Sequence, residues 1–158
     1  MCIRDSTTTT DHHYVFPRDG GDLLGAEIAA AEAMGLRFHP TRGSMDLSEK
    51  DGGLPPDTVV ESIDEILTAS AQAVDRWHDP GPGAMLRIGI APCSPFSVTT
   101  DLLRESALLA RDLGVRLHTH LAESPDENTY CAQHFGATPL QYMESVGWVG
   151  DDVWFAHG

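Results

Sequence analysis

LGVRLHTHLAE, residues 113–123, runs from a largely apolar segment into two imidazoles and a carboxylate. His118 and His120 are two residues apart, so in a strand they share one face. Glu123 comes three residues later, past the predicted strand end, where a loop can return it to the same place. Neutral imidazole is a good zinc ligand, and a nearby carboxylate can move protons to and from an activated water, so the stretch predicts a metal-assisted hydrolase site. An isolated H-x-H is more often two polar residues on a sheet face, and that alternative depends on the rest of the chain.

The composition predicts an acidic globular protein of a reducing compartment. The 158 residues carry 24 acidic and 10 basic side chains, a formal charge of -14, and 41% are hydrophobic. A general binder of nucleic acid or of anionic membranes needs a basic face, so both classes are disfavoured. Three cysteines without a C-x-x-C pair do not make a disulfide framework, and no apolar run approaches the ~20 residues of a membrane span. We therefore expect a cytoplasmic location. Residues 1–6 have no periodicity and are interpreted as a non-native leader, which leaves 7–158 as the domain.

Helical and strand-like segments alternate along the chain. The predicted helices are Asp22–Met34, Val59–Trp77 with Asp57 or Thr58 as N-cap, Asp101–Leu113, Asp126–Phe135 and Pro139–Val146. The predicted strands are Thr7–Thr10, Leu36–His39, Met85–Ala91, Val115–Leu121 and Val153–Ala156. Such alternation predicts an α/β fold with a parallel sheet and right-handed crossovers.

A polar cluster follows each predicted strand. The clusters are Asp11-His12-His13, Thr41-Arg42-Gly43-Ser44, Pro92-Cys93-Ser94, His120 to Glu123, and His157. Side-chain chemistry at the carboxyl ends of successive parallel strands is typical of a (β/α)8 TIM barrel enzyme. A doubly wound sheet gives the same local pattern but usually concentrates its site at one switch point, so five polar strand ends favour the barrel. Since a complete barrel takes about 250 residues, we expect a partial barrel.

Four stretches in this order carry a resemblance to a known family: Thr7–Pro17 (TTTTDHHYVFP), Arg42–Asp46 (RGSMD), Ala91–Thr99 (APCSPFSVT) and His118–Ser124 (HTHLAES). The chain resembles the amidohydrolase superfamily, in the branch of cytosine-deaminase-like aminohydrolases that holds 8-oxoguanine deaminase and the hydroxyatrazine and s-triazine aminohydrolases. The resemblance covers about residues 7–158 and implies roughly strands 2 to 6 of the metal-dependent barrel.

The resemblance implies one divalent metal, usually zinc with iron as an alternative, at the barrel mouth. His120 matches the metal ligand after strand 5 of the family, and Glu123 matches its acid/base residue. His157 matches the position after strand 6, where the family has a metal ligand or a partner of the hydroxide. The H-x-H pair after strand 1 is expected before Thr7, and the Asp after strand 8 beyond Gly158; neither is present in the chain.

Other polar and aromatic residues are expected near the substrate. His118 is interpreted as an interior histidine beneath the metal in preference to a direct ligand, and the segment Gly52–Pro56 as a loop over the mouth. A mouth-lining role for the pair His12 and His13 is weighed equally against an ordinary loop position. The expected substrate-binding residues are His12, His13, Arg42, Cys93, Ser94 and Phe96.

The expected function is hydrolysis of a C–N bond in an amino-substituted aromatic N-heterocycle, such as 8-oxoguanine, a guanine-like purine or an s-triazine. Glu123 is expected to carry a proton from water to a ring nitrogen. The expected partners are this small molecule and further copies of the chain in a homo-oligomer, with no nucleic acid and no membrane. Two alternatives stay open: a truncated barrel with no catalysis of its own, and a hydrolase that removes chloride from a triazine.

Overall fold

The computed structural model describes residues 6–158, so positions 1–5 of the predicted leader 1–6 lie outside the described residues. The strands in this part of the chain are β1 (Thr8–Thr10), β2 (Arg37–His39), β3 (Thr41–Ser44), β4 (Gly89–Pro92), β5 (Arg116–Leu121) and β6 (Val153–His157). The helices are α1 (Leu23–Ala33), α2 (Ile63–Trp77), α3 (Thr100–Leu113), α4 (Pro125–Phe135) and α5 (Pro139–Ser145). The alternation of strands and helices agrees with the sequence prediction.

All strand pairs are parallel and follow chain order. β1 pairs with β2, and a second sheet has the order β3-β4-β5-β6. β2 and β3 are separated only by Pro40, which lacks the N–H needed to continue a ladder. A doubly wound sheet reverses its strand order at a switch point, whereas the described strands progress in one direction, as in a barrel wall. This order brings every strand's carboxyl end to the same edge.

The polar segment Thr41–Ser44, predicted to be a loop after a strand, is itself a buried strand. Its ladder with Gly89–Pro92 supplies partners for the backbone, and the Asp11 carboxylate accepts the Thr41 N–H at 2.9 Å. Gly43 is required here, because a Cβ atom would lie 2.1 Å from the carbonyl oxygen of His13. Tertiary pairing therefore sustains a strand although Gly43 lies in its interior.

The predicted start of the second helix at Val59 is wrong. α2 begins at Ile63, because Ser62 and Glu65 form a reciprocal capping box in which each side chain accepts the other's backbone N–H. The segment Asp57–Val59 forms a separate 3-10 turn, so neither predicted N-cap residue caps α2. In the short connection between the turn and α2, the Glu61 N–H donates to the carbonyl of Met45, which directly follows β3.

The core lies between the sheet and the helices that cover its outer face. Its fully buried members include Ile66, Ile88, Ile90, Leu102, Leu117 and Trp148, each 0% exposed. The Trp148 indole N–H donates to the Leu103 carbonyl at 2.8 Å, which satisfies its polar atom in the core. Within residues 6–158, no helix has both the length and the apolar character needed to cross a bilayer.

Candidate active site

A cleft of about 560 Å³ lies at the carboxyl ends of the strands. Polar groups from three successive strand ends meet there: Cys93 and Ser94 after β4, His120 and Glu123 at the end of β5, and His157 at the end of β6. Its other walls are mainly apolar and consist of Tyr14, Val15, Met45, Leu54, Pro55, Pro56, Val59, Phe96 and Ser97. Six of the predicted site residues therefore share one cleft, and the predicted loop 52–56 supplies three of the apolar groups.

His120 is oriented by a backbone carbonyl. Its Nδ1 lies 2.8 Å from the Cys93 carbonyl oxygen, which accepts the proton of that nitrogen. In the neutral ring, this hydrogen bond places the proton on Nδ1 and leaves the lone pair on Nε2. The backbone N–H of His120 donates to the same carbonyl at 3.0 Å, so ring and backbone are both held against β4. An imidazole held through Nδ1 with Nε2 free is ready to act as a metal ligand.

Glu123 and His157 approach each other across the cleft. Oε1 of Glu123 lies 3.6 Å from Nε2 of His157, and both side chains are about half exposed. His157 has a φ of +70°, in the left-handed region, where His is more common than most residues. The next residue, Gly158, donates its N–H to the Leu121 carbonyl at 3.0 Å, which holds the end of β6 beside β5. This turn brings the His157 ring to the carboxylate.

His118 lies below the cleft, as predicted for an interior histidine. It is 1% exposed, its Nδ1 donates to the Trp154 carbonyl at 3.0 Å, and its ring stacks on that indole. Burial, with the charge of His12 as the second cause, lowers the pKa of His118 to about 4. Since Nδ1 of the neutral ring is a donor, Nε2 accepts a hydrogen bond from Nδ1 of His12. Burial and then the charge of His120 lower the pKa of His12, which favours the neutral ring.

The structure does not bring His13 and Arg42 to the cleft. Nδ1 of His13 contacts the Glu27 carboxylate at 2.5 Å, and Nε2 lies 2.9 Å from the Val15 carbonyl oxygen. The Arg42 guanidinium is buried, donates to Glu61 at 2.7 Å and covers the ring of Phe16. Strand alternation explains the position of Arg42, because residues in β3 point alternately to the two faces of the sheet. His12 stays near the cleft, with its ring centroid 5.1 Å from that of His120.

Tyr14 is a cleft residue that the sequence analysis missed. Its ring meets that of His120 edge-on at 5.6 Å between centroids. The negative charge of the Cys93 thiolate form is the largest cause of a raised Tyr14 pKa, and burial is the second. Burial raises the pKa of the Cys93 thiol, so this group is protonated at neutral pH and is not an activated nucleophile. The signal for Tyr14 was its place two residues after His12, in a stretch that already resembled the family.

The donor chemistry of the cleft fits a zinc ion in part. His120 and His157 are imidazoles from neighbouring strands, with ring centroids 5.7 Å apart. Two imidazoles on one tetrahedral zinc have centroids about 5 Å apart, given Zn–N distances of about 2 Å. Within residues 6–158, however, no group of three or more His, Cys, Asp or Glu side chains is arranged to hold a metal ion. The described residues thus offer two donors of the right type and a carboxylate beside them.

Comparisons with known proteins match the chain to one family and to curated relatives. The Amidohydrolase family model matches residues 2–158. The 8-oxoguanine deaminase of Pseudomonas aeruginosa is 48% identical over 158 residues, which are 100% of this chain and 35% of that protein. Hydroxydechloroatrazine ethylaminohydrolase of Pseudomonas sp. (strain ADP) is 44% identical over 153 residues, 96% of this chain and 31% of that protein. The chain therefore spans about a third of the length of these curated relatives.

The fold agrees with a solved relative. The structure of atrazine chlorohydrolase from Arthrobacter aurescens TC1 complexed with zinc superposes with a TM-score of 0.90 at 37% identity, covering 96% of this chain and 33% of that one. The comparison confirms the partial barrel, since the matched region is one third of a longer chain. From its strand-end cleft, its family match and these relatives, the chain belongs to the amidohydrolase family.

Proposed function

We propose that the protein carrying this chain is a metal-dependent aminohydrolase that removes an amino group from an amino-substituted aromatic N-heterocycle. The observation that carries the proposal is the meeting of His120, Glu123 and His157 in one cleft, with a carboxylate oxygen 3.6 Å from an imidazole nitrogen. This combination supplies metal donors and a proton carrier at the same place.

In the proposal, His120 and His157 hold one divalent metal, with zinc favoured because a solved relative is complexed with zinc. Bound there, the metal would supply activation of water, whose pKa a zinc site lowers from about 15.7 towards about 7. Iron stays an alternative. Any further ligands would come from outside the described residues, since these contain no third arranged donor.

Glu123 is the proposed proton carrier. Its carboxylate takes a proton from water and passes it to a ring nitrogen, which makes the adjacent amino-bearing carbon electrophilic. The water oxygen bonds to that carbon. Glu123 then takes the remaining proton from the added oxygen and gives it to the amino nitrogen, the C–N bond breaks, and ammonia leaves. His157 has one of two proposed roles: it holds the metal, or its ring orients the attacking water beside Glu123.

The walls of the cleft support a flat heterocyclic substrate. Phe96, Tyr14 and Leu54 provide apolar or aromatic surface, while Ser94 and Cys93 provide polar atoms at the edge. A pocket of this kind holds a ring by its faces and orients it by a few hydrogen bonds. The names of the relatives, 8-oxoguanine deaminase and hydroxydechloroatrazine ethylaminohydrolase, support the same substrate class. We propose substrate contacts for Cys93, Ser94 and Phe96, with His12 as a further candidate.

The finer predictions on partners and location belong to this proposal. The formal charge of -14 supports a protein without nucleic-acid or membrane partners. A cytoplasmic location and a homo-oligomer stay predictions. The interpretation of residues 1–6 as a leader also stays a prediction.

The test is ammonia release from 8-oxoguanine and from an amino-s-triazine by the purified protein that carries this chain, loaded with zinc. Replacing Glu123 by Gln should lower kcat by about 100-fold or more, because general acid-base catalysis contributes about 10² to 10⁴. Glu105→Gln is the matched control, since Glu105 is exposed on α3. Wild-type protein that releases no ammonia from either substrate would contradict the proposed function. Full activity in Glu123→Gln would contradict only the role of Glu123.

A second candidate is release of chloride from a chloro-s-triazine. It is favoured by the TM-score of 0.90 with the solved atrazine chlorohydrolase. Both reactions need an activated water and a proton carrier, so the cleft is compatible with either. Parallel assays for chloride and ammonia separate them, because only the leaving group differs.

A further inference from the structure

The backbone that carries Glu123 has an uncommon conformation. Ala122, the residue between β5 and Glu123, has a φ of +55°. For a residue with a Cβ atom the left-handed region costs about 1–2 kcal/mol, so surrounding contacts must hold the turn in place. Both Ala122 and Glu123 are exposed, and burial of their own side chains therefore does not provide that hold.

A buried carboxylate holds this turn in place. Glu127, in the first turn of α4, is 1% exposed. One oxygen of Glu127 accepts the N–H of Ala122 at 2.9 Å, and the other accepts the N–H of Glu123 at 3.0 Å. Burying a carboxylate is costly unless it is hydrogen-bonded, and here both oxygens are satisfied by the turn. The two bonds fix two successive peptide groups.

We propose that Glu127 is a positioning residue, which holds the Ala122–Glu123 turn so that the Glu123 carboxylate faces His157 in the cleft. The inference rests on the proposed function, because it assumes that Glu123 carries the proton. No contact of Glu127 with the cleft is needed, since its effect passes through the backbone. We call the two hydrogen bonds that Glu127 accepts from the N–H groups of Ala122 and Glu123 the clamp. A displacement of a reacting group by about 1 Å can cost about 100-fold in rate, so the clamp matters for kcat.

Glu127→Gln is the sharpest substitution. Glutamine keeps the shape of the side chain but has one acceptor oxygen and one donor NH2 group. One of the two N–H groups therefore loses its partner and faces another donor, while the packing of α4 is retained. We expect kcat to fall at least about 10-fold with KM changed less than about 3-fold, as for an interaction that serves the transition state. Glu127→Asp keeps the charge but is one methylene shorter, so it should restore at most part of the loss.

A double-mutant cycle with Glu123→Gln separates positioning from a structural role. If Glu127 acts through Glu123, adding Glu127→Gln to the Glu123→Gln protein should not lower kcat further. If it acts by general destabilisation, the second change should lower kcat by the same factor in both backgrounds, and the inference would be overturned. Glu105→Gln, on the surface of α3, is the control in both backgrounds.

Amide hydrogen exchange tests the clamp without any substrate. In Glu127→Gln the amide that loses its acceptor, that of Ala122 or that of Glu123, should exchange at least about 10-fold faster, while those of the α4 interior keep their rates. Unchanged exchange at these two amides would overturn the inference even if activity falls. Inactive wild-type protein with faster exchange in the variant would overturn the proposed function and leave the clamp supported. The two failures are therefore distinguishable.

Discussion

His39 should make the stability of this protein depend on pH. It ends β2, and its ring lies 5.2 Å from that of Trp154 between centroids. Burial lowers its pKa from 6.5 to about 4, with the charges of His78 and Arg116 as the next causes. Because the folded state favours the neutral ring, its contribution to stability is fully present above pH 6.5. It is lost as the pH falls from 6.5 towards 4, where the unfolded chain binds a proton and the folded chain does not.

The magnitude follows from the two pKa values. A shift of one pKa unit corresponds to about 1.4 kcal/mol, so the fall from 6.5 to about 4 corresponds to at most about 3.5 kcal/mol. Between pH 7 and pH 4.5 the linkage relation gives a loss of about 2 kcal/mol from His39 alone. At pH 7, His39→Gln should cost about 1 kcal/mol through the lost ring contact with Trp154. At pH 4.5 the sign should reverse, and the variant should be more stable than the wild type by about 1 kcal/mol.

The assay is urea denaturation of the wild type and His39→Gln at pH 7 and pH 4.5, followed by fluorescence. Ile66→Val is the control, because it removes one buried methyl group without changing a titratable group and should cost about 1 kcal/mol at both pH values. An equal difference in unfolding free energy between the wild type and His39→Gln at the two pH values would refute the reasoning. It would mean that His39 takes up a proton in the folded state as readily as in the unfolded one.

Two further predictions concern the backbone around the site. Gly43→Ala should destabilise the protein by at least about 2 kcal/mol, because the new Cβ would lie 2.1 Å from the His13 carbonyl oxygen and 2.6 Å from the Tyr14 Cα; a thermal melt within 1 °C of the wild type would contradict this. Ser62→Ala should lower the unfolding free energy by about 1 kcal/mol through loss of the α2 N-cap. Thr58→Ala is its matched control, since the exposed Thr58 does not cap α2, and an equal loss in both variants would disprove the assignment of the cap.

The fold was largely predictable because strand and helix periodicities are local properties. The third helix, predicted as Asp101–Leu113, is observed as Thr100–Leu113, and the predicted strand Val115–Leu121 is observed from Arg116. One error arose where a distant partner decided the conformation, and another where a local capping pattern, Ser62 and Glu65, was overlooked. Thr41–Ser44 became a strand because β4 offers a ladder. α2 begins at Ile63 and not at Val59, because the Ser62 and Glu65 capping box satisfies backbone N–H groups of its first turn.

For the site, the sequence supplied the chemical types and the tertiary structure selected among them. Cys93, His120, Glu123 and His157 meet in one cleft because parallel strands end at one edge of the sheet. The Arg42 guanidinium is also suited to bind a polar substrate, but β3 turns it away from the cleft, where it pairs with Glu61.

By itself the sequence determined the order of strands and helices and the imidazole and carboxylate groups at the strand ends, because these depend on residue type and spacing. Only the tertiary structure decided that His120 keeps Nε2 free and that Glu127 clamps the Glu123 turn. Both depend on hydrogen bonds whose direction is set by the relative placement of neighbouring elements. Hydrogen bonds act over about 3 Å, a precision that hydrophobic periodicity does not carry.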